Sequence, residues 1–206
     1  MKKLLLIFIA TSTMLTAACG NAINNNGTQE ELTTIFTLGD YYLHSSVSNL
    51  ASEATDIVMV EVLDERTEYI NIWLPPQNEL EDTGEGFQEI YRIHTVNQLR
   101  VLEVFEGNKE LGDIFEVKQL GGQMGNIDFV NLDKVALPIG DELILFLYSL
   151  DIENMPSVLV NPTQSAYRFI DGRARGTGYE LESLNTYNDL TLTLEDLIQI
   201  SNKFSN

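Results

Sequence analysis

Glu142-Leu-Ile-Leu-Phe-Leu-Tyr-Ser-Leu150 is the stretch on which the fold turns. Successive strand residues point to opposite faces, so the unbroken apolar run Leu143-Ile-Leu-Phe-Leu-Tyr148 needs cover on both sides, as a central strand has. Pro138-Ile-Gly-Asp141 leads into it through a turn. Upstream, Ile57-Val-Met-Val-Glu-Val-Leu63 sets Val58, Val60 and Val62 against a less apolar alternate set, the pattern of a half-buried strand. Ile90 to Phe105 is a longer β-rich run whose inward positions change phase: Tyr91 and Ile93 fit one register, Val96 the other, and Leu99 and Val101 the first again. A bulge or bend near Thr95 is expected from that change. Glu106-Gly107-Asn108 then turns the chain into Ile114–Leu120, Gly121-Gly122 interrupts, and a further strand is predicted over Ile127–Leu132. Two short strands, Ser157–Val160 and Tyr167–Ile170, precede the turn residues Asp171-Gly172.

Helical patterning is confined to the two ends of this series. Val47, Leu50, Ala51 and Ala54 fall at i, i+3, i+4 and i+7, which predicts one short amphipathic helix over Ser46–Ala54. Near the C-terminus, Thr193 as N-cap with Asp196 three residues on, and Leu192 facing Leu197 as a staple, predict a second. Leu194, Leu197, Ile198 and Phe204 would form its buried stripe. The expected fold is mainly β (α+β): a single small antiparallel barrel or curled sheet over residues 35–206, with a short N-terminal helix and a C-terminal helix. Barrel versus two-sheet sandwich stays open at this level.

The first twenty residues carry an address. Lys2-Lys3, the apolar run Leu4–Ala10 and Thr16-Ala17-Ala18-Cys19 resemble a bacterial lipoprotein signal, and the apolar run is too short to span a bilayer. Thr16 stands where leucine is commonest in such signals, with Leu15 one position earlier. The resemblance implies that residues 1–18 are removed and that Cys19, the single cysteine, carries a diacylglycerol as the first mature residue. Residues 19–34, rich in asparagine and poor in apolar side chains, read as a tether reaching roughly 20 Å on average. The expected location is the extracytoplasmic face of the cell membrane. With Cys19 acylated no disulfide is available, so the body must be stable on its apolar core.

Charge narrows the partners. The chain has 12 basic and 31 acidic residues, a net charge of −19, and loss of Lys2 and Lys3 takes the mature chain to −21. Nucleic acid is therefore a poor partner, and anionic lipid head groups are repelled by everything but the acyl anchor.

The series formed by the Ser46–Ala54 helix, Asp56-Ile-Val-Met-Val-Glu-Val62, Val101-Leu-Glu-Val-Phe-Glu-Gly-Asn108, Gly112-Asp113, Gln119-Leu-Gly-Gly122 and Leu137-Pro-Ile-Gly-Asp-Glu-Leu-Ile-Leu-Phe-Leu147 resembles exported bacterial proteins of uncharacterised function. It is also loosely similar to netrin-like domains, including tissue inhibitors of metalloproteinases, over roughly residues 46–169. That similarity implies an OB-type barrel of five strands with flanking helices. The matching positions are turn glycines and strand hydrophobes, with no catalytic residue among them. The inhibitors chelate zinc through a free N-terminal cysteine, which an acylated Cys19 on a tether does not supply.

Chemistry-bearing motifs are scarce. The chain has no Gly-x-Ser-x-Gly, His-Glu-x-x-His or phosphate-binding glycine loop, and it has two histidines. His94 shares strand parity with Arg92 and is expected on an exposed polar face, while His44, beside Tyr41 and Tyr42, reads as packed or hydrogen-bonded. Trp73-Leu-Pro-Pro-Gln-Asn-Glu-Leu-Glu-Asp-Thr-Gly-Glu-Gly-Phe87 is expected as a long loop. In it Trp73 and Leu74, beside two stiff prolines, suit a recognition surface, though Trp73 equally suits the closing of one barrel end. Arg168, Arg173 and Arg175 are a basic cluster that either binds or neutralises nearby carboxylates. Glu79, Glu81, Asp82 and Glu85 are weak calcium candidates without the spacing of an EF-hand loop; otherwise no cofactor or metal is expected. The leading functional reading is a membrane-tethered, non-enzymatic interaction or accessory module for an envelope protein or exported peptide. The alternatives are a carboxylate-based hydrolase and a calcium-dependent ligand-binding module.

Overall fold

The computed structural model describes residues 31–73, 89–150, 152, 155–170 and 180–204. Its elements run in the order β1 (Thr33–Thr37), α1 (Val47–Glu53), β2 (Asp56–Trp73), β3 (Glu89–Glu106), β4 (Ile114–Leu120), β5 (Gly122–Met124), β6 (Ile127–Asn131), β7 (Glu142–Tyr148), β8 (Val158–Leu159), β9 (Ala166–Ile170), β10 (Glu180–Ser183) and α2 (Leu194–Phe204). The protein is thus mainly β with two helices, as its patterning predicts. Thr33 and Thr34, assigned above to the tether, belong to β1.

β7 is the central strand. It lies between β2 and β9, and all five of its residues from Leu143 to Leu147 are fully buried. Alternation sends them to two cores. Leu143, Leu145 and Leu147 meet Val58, Val60, Val62, Leu99 and Val117 inside the curl of the sheet. Ile144 and Phe146 point the other way, where Leu50 of α1, Leu197 of α2 and Tyr167 cover them. Burial on both faces is why this run tolerates no polar residue.

Strand order in the larger sheet is β10-β9-β7-β2-β3-β4, with β8 paired to β7. The smaller sheet has the order β1-β6-β5, with β1 parallel to β6. Of the two expected forms, a barrel or a curled sheet, the described strands close no barrel and divide into two sheets. The larger one nevertheless curls until Ser157, just before β8, meets β4: Ser157 N–H donates to Glu116 O and Lys118 N–H donates to Ser157 O, each at 2.9 Å. That contact is a single parallel bridge, Val117 to Ser157. Pro156 on one side of it has no N–H to give, so the ladder cannot lengthen in that direction.

Sharp curvature comes from the β2–β3 hairpin. Its register slips three times, leaving Leu102 and Phe105 of β3 and Leu63 of β2 without a partner across the ladder. The bend predicted near Thr95 is therefore misplaced, since Thr95 pairs regularly with Thr67. The phase change arises instead because Ile93 through Asn97 are all buried, the side chains of both faces being covered. Gly122 makes this cover possible: at φ 140° it lies so close that a Cβ would sit 2.7 Å from Thr67 Cγ2. β2 also runs ten residues past its predicted end at Leu63, because from Glu65 to Trp73 it pairs with β3 as the arm of a long hairpin. Arg66 steadies the start of that arm through Glu116 of β4, at 2.6 Å, and Glu68.

Asp56 fastens the lower end of the curl. Its buried carboxylate accepts from Thr55 Oγ1 and Ser149 Oγ at 3.0 Å and from Asn108 N–H at 3.1 Å, with Lys109 Nζ at 3.6 Å. The start of β2, the β3–β4 turn and the exit of β7 are joined through this one side chain.

α2 begins as predicted, with Asp196 N–H donating to Thr193 Oγ1 and Thr193 N–H donating to the Asp196 carboxylate. Leu192, Leu197 and Ile200 are its buried contacts, whereas Ile198, expected in the buried stripe, is 58% exposed. Ile198 lies one residue past Leu197, about 100° around the helix, which carries it off the face pressed on the sheet.

Candidate functional site

Where β4 and β8 approach without zipping together, a cleft of about 340 Å³ remains. Its floor is supplied by β4, with Lys118, Gln119 and Leu120, and by His94 of the neighbouring β3. Val158, Leu159, Val160 and Pro162 line the cleft from β8 and the segment that follows, with Leu159 itself part of the core inside the curl and Val160 packed on the other core. Asn131 and Lys134, from the end of β6 and the loop after it, and Tyr41, from the segment before α1, complete the lining. Size and lining fit the lower range of small-molecule pockets, roughly 300–1,000 Å³.

Several of the polar residues are held firmly. Gln119 makes a two-way bond with Val135, its Nε2 donating to the carbonyl at 3.0 Å and its Oε1 accepting from N–H at 3.1 Å. Lys134 Nζ donates to Thr95 Oγ1 at 2.7 Å, and that hydroxyl donates to Gly121 O at 2.8 Å. Lys118 is 7% exposed, and its ammonium reaches Met155 Sδ at 2.8 Å, a thioether with little accepting power. Burial alone lowers its proton affinity. Tyr41 has its hydroxyl shifted upward by burial and by the charge of Asp133, against a hydrogen bond with Asn131.

His94 is 6% exposed, not on an exposed face as its parity with Arg92 suggests, and it lines the cleft together with Tyr41, Lys118, Leu120 and Pro162. Its Nδ1 lies 3.0 Å from Arg92 O. A carbonyl only accepts, so Nδ1 carries the proton and Nε2 is the basic nitrogen. Burial is the main cause lowering its pKa; Lys118 and Arg92 push the same way, and Glu68 and the carbonyl bond oppose them.

His44 is buried in a structural setting. Gln164 clasps its backbone, accepting from His44 N–H at 2.8 Å and donating to His44 O at 3.1 Å, and the ring packs edge-on to Tyr42. Arg168 on β9 pairs with Glu182 on β10 at 2.8 Å, with both side chains about half exposed, so it neutralises a neighbour. Arg173 and Arg175 lie outside the described residues, as do Leu74, the loop through Phe87 with Glu79, Glu81, Asp82 and Glu85, and Cys19. Trp73 is the last residue of β2, paired through its backbone with Glu89 at the end of the arm; its side chain is outside the description. Among the described residues, Arg168 is not part of the cleft lining.

A second groove, about 220 Å³, runs between α1 and α2. Its one carboxylate, Asp196, is engaged in the helix cap. Among the described residues no group of three or more His, Cys, Asp or Glu is placed to hold a metal ion, and no helix is long and apolar enough to cross a membrane. Compared with known proteins, the chain matches no family model, no curated protein and no solved structure.

The cleft was invisible to sequence reasoning. Its residues come from six separated segments between Tyr41 and Pro162, and Lys118 reads locally as one polar position in the strand Ile114–Leu120. The one usable signal was a lysine in mid-strand in a chain with few cations.

Proposed function

We propose that this protein is a lipid-anchored, non-enzymatic binding module on the extracytoplasmic face of the cell membrane, held through Cys19, with the cleft between β4 and β8 as its binding site. The cleft carries the binding half of this reading: a preformed hollow lined by polar residues, among them His94, Lys118, Asn131 and Lys134, and by apolar ones, among them Leu120, Val158 and Pro162. The lipoprotein-like signal carries the anchoring half. An OB-type, netrin-like architecture is the finer fold reading. It is supported by the strand path β7-β2-β3-β4 and its return to β7 through Ser157 and β8. The Trp73 segment at the end of the β2–β3 arm offers a second surface, for an envelope protein or exported peptide.

Native mass spectrometry of the full chain extracted from its producing membrane tests both halves. The expected spectrum shows a chain beginning at Cys19 with the covalent mass of a diacylglycerol, plus a non-covalent small-molecule adduct. The adduct should vanish in Val158→Trp, which fills the cleft, and the covalent mass in Cys19→Ala. A chain without covalent lipid refutes the anchor, and an adduct that survives Val158→Trp refutes the cleft.

A further inference from the structure

We propose that the outer face of the smaller sheet, built from Leu32, Phe36 and Leu38 with Val130 and Leu132, docks on the surface of the bilayer that holds the anchor. This rests on the reading of Cys19 as the lipid anchor and adds an orientation, with this face of the body turned to the membrane.

Register defines the face. β1 pairs in parallel with β6, with Thr34 beside Asp128 and Phe36 beside Val130. Leu132 N–H donates to Thr37 O, which carries the ladder one step on and sets Leu38 beside Leu132. Alternate residues of a strand share a face, so Leu32, Thr34, Phe36 and Leu38 point one way, with Asp128, Val130 and Leu132 next to them. Ile35 and Phe129 take the opposite face, and Gly122, paired with Phe129, approaches Thr67 of the larger sheet from that side. The first face is left to solvent: Leu32 is 50%, Leu132 62%, and Phe36 and Leu38 each 68% exposed. Large apolar side chains grouped and exposed in this way mark an interaction surface.

Three observations name lipid as the occupant. The chain enters this face directly from the anchor: Leu32 is thirteen residues from Cys19, a span of about 20 Å for a flexible chain, so the acyl group keeps the face beside the bilayer. Residues 32–39 carry no charge in a chain of net charge −19. Among the described residues of the face the one carboxylate is Asp128, half-buried beside Thr34. Area argues against a second copy, because five side chains offer a few hundred Å², short of the roughly 800 Å² per partner of a stable protein interface. A shallow apolar contact instead reinforces an anchor that already holds. The backbone keeps that contact shallow. Thr33 N–H and Thr37 O turn to β6, so by the alternation of a parallel ladder the groups of Thr34 and Phe36 turn outward, where they need water or lipid head groups.

Spin labels on the full lipidated chain in neutral phosphatidylcholine vesicles test this. Labelled Leu38→Cys and Leu132→Cys report on the face, and labelled Ile198→Cys, on the exposed side of α2, is the aqueous reference. The mass of each chain establishes the covalent lipid first. At positions 38 and 132 the ratio of collisions with dissolved oxygen to collisions with a water-soluble nickel chelate should be at least about threefold that at position 198, as at a membrane interface. Adding Phe36→Ser to the Leu132→Cys chain should lower its ratio toward the reference. Equal ratios at all three positions would overturn the docking while leaving the anchor standing. Loss of collisions with both reagents at 38 and 132, with spin–spin broadening between copies, would overturn it in favour of a face between two copies of this chain. A chain without covalent lipid would overturn the anchor and, with it, this inference.

Discussion

Removing the Asp56 carboxylate should loosen the curl of the larger sheet at its fastening point. The side chain is 6% exposed and its partner Lys109 is 16% exposed, so the pair is little screened by solvent or salt. Asp56→Ala strips hydrogen bonds from Thr55, Ser149 and Asn108 and leaves a secluded ammonium and a backbone N–H without their acceptor. Breaking one partner of a buried pair costs about 3–5 kcal/mol. For a domain of this size that corresponds to a fall in Tm of about 6–20 °C. Lys109 keeps one alternative contact, lying 4.4 Å over the Phe115 ring, which places the outcome toward the lower end. Urea unfolding should show a reduced midpoint with an unchanged slope, and 0.5 M salt should not abolish the difference between variant and wild type. A loss below about 1 kcal/mol, the value of an exposed pair, would refute the role given to Asp56.

Two neighbouring residues of α2 should behave oppositely. Leu197→Ala, at a site 1% exposed, should cost about 2–5 kcal/mol in denaturant unfolding, while Ile198→Ala, at a site 58% exposed, should stay within about 0.5 kcal/mol; equal losses would mean that α2 is rotated from the orientation described. Acid should destabilise the protein through His94, which is held neutral by burial with Lys118 and Arg92 nearby, against Glu68. Its folded pKa lies below the unfolded value of 6.5, so the unfolded chain takes the proton first. The neutral form's full stability is present above 6.5 and is lost as pH falls, by at most about 1.4 kcal/mol per pH unit. Subtracting the unfolding free energy of His94→Gln from that of wild type between pH 7.5 and 5 should reveal this slope, and a flat difference would contradict it.

Local patterns carried much of the fold into view. The apolar run of β7, the apolar spacing over Ser46–Ala54, the Thr193 cap and the glycine turns are short-range features, dictated by faces and orphan N–H groups that neighbouring residues must satisfy. Misreadings arose where tertiary cover decided. Thr95 and His94 looked like a disturbed or exposed strand because nothing in residues 90–105 announces that Gly122 closes on Thr95 and that His94 lines a cleft. Ile198 looked buried because an apolar residue beside the core stripe is indistinguishable by spacing from one inside it. For the arm, Glu65, Arg66 and Glu68 broke the apolar alternation on which strand recognition relies, and Arg66 finds its partner in Glu116, fifty residues away. The cleft is wholly a product of closure, which no single segment encodes.

The parallel union of β1 with β6 also governs how the body bears load. Thr33 to Thr37 lie alongside Ile127 to Asn131, and hydrogen bonds at both ends, Thr33 N–H to Asn126 O and Leu132 N–H to Thr37 O, lock the pair. Tension applied along β1 from the amino-terminal side strains all of these rungs at once, in shear, where a strand peeled sideways would lose them one at a time. A body tugged through its leading strand therefore meets its resistance first in the rungs of the smaller sheet.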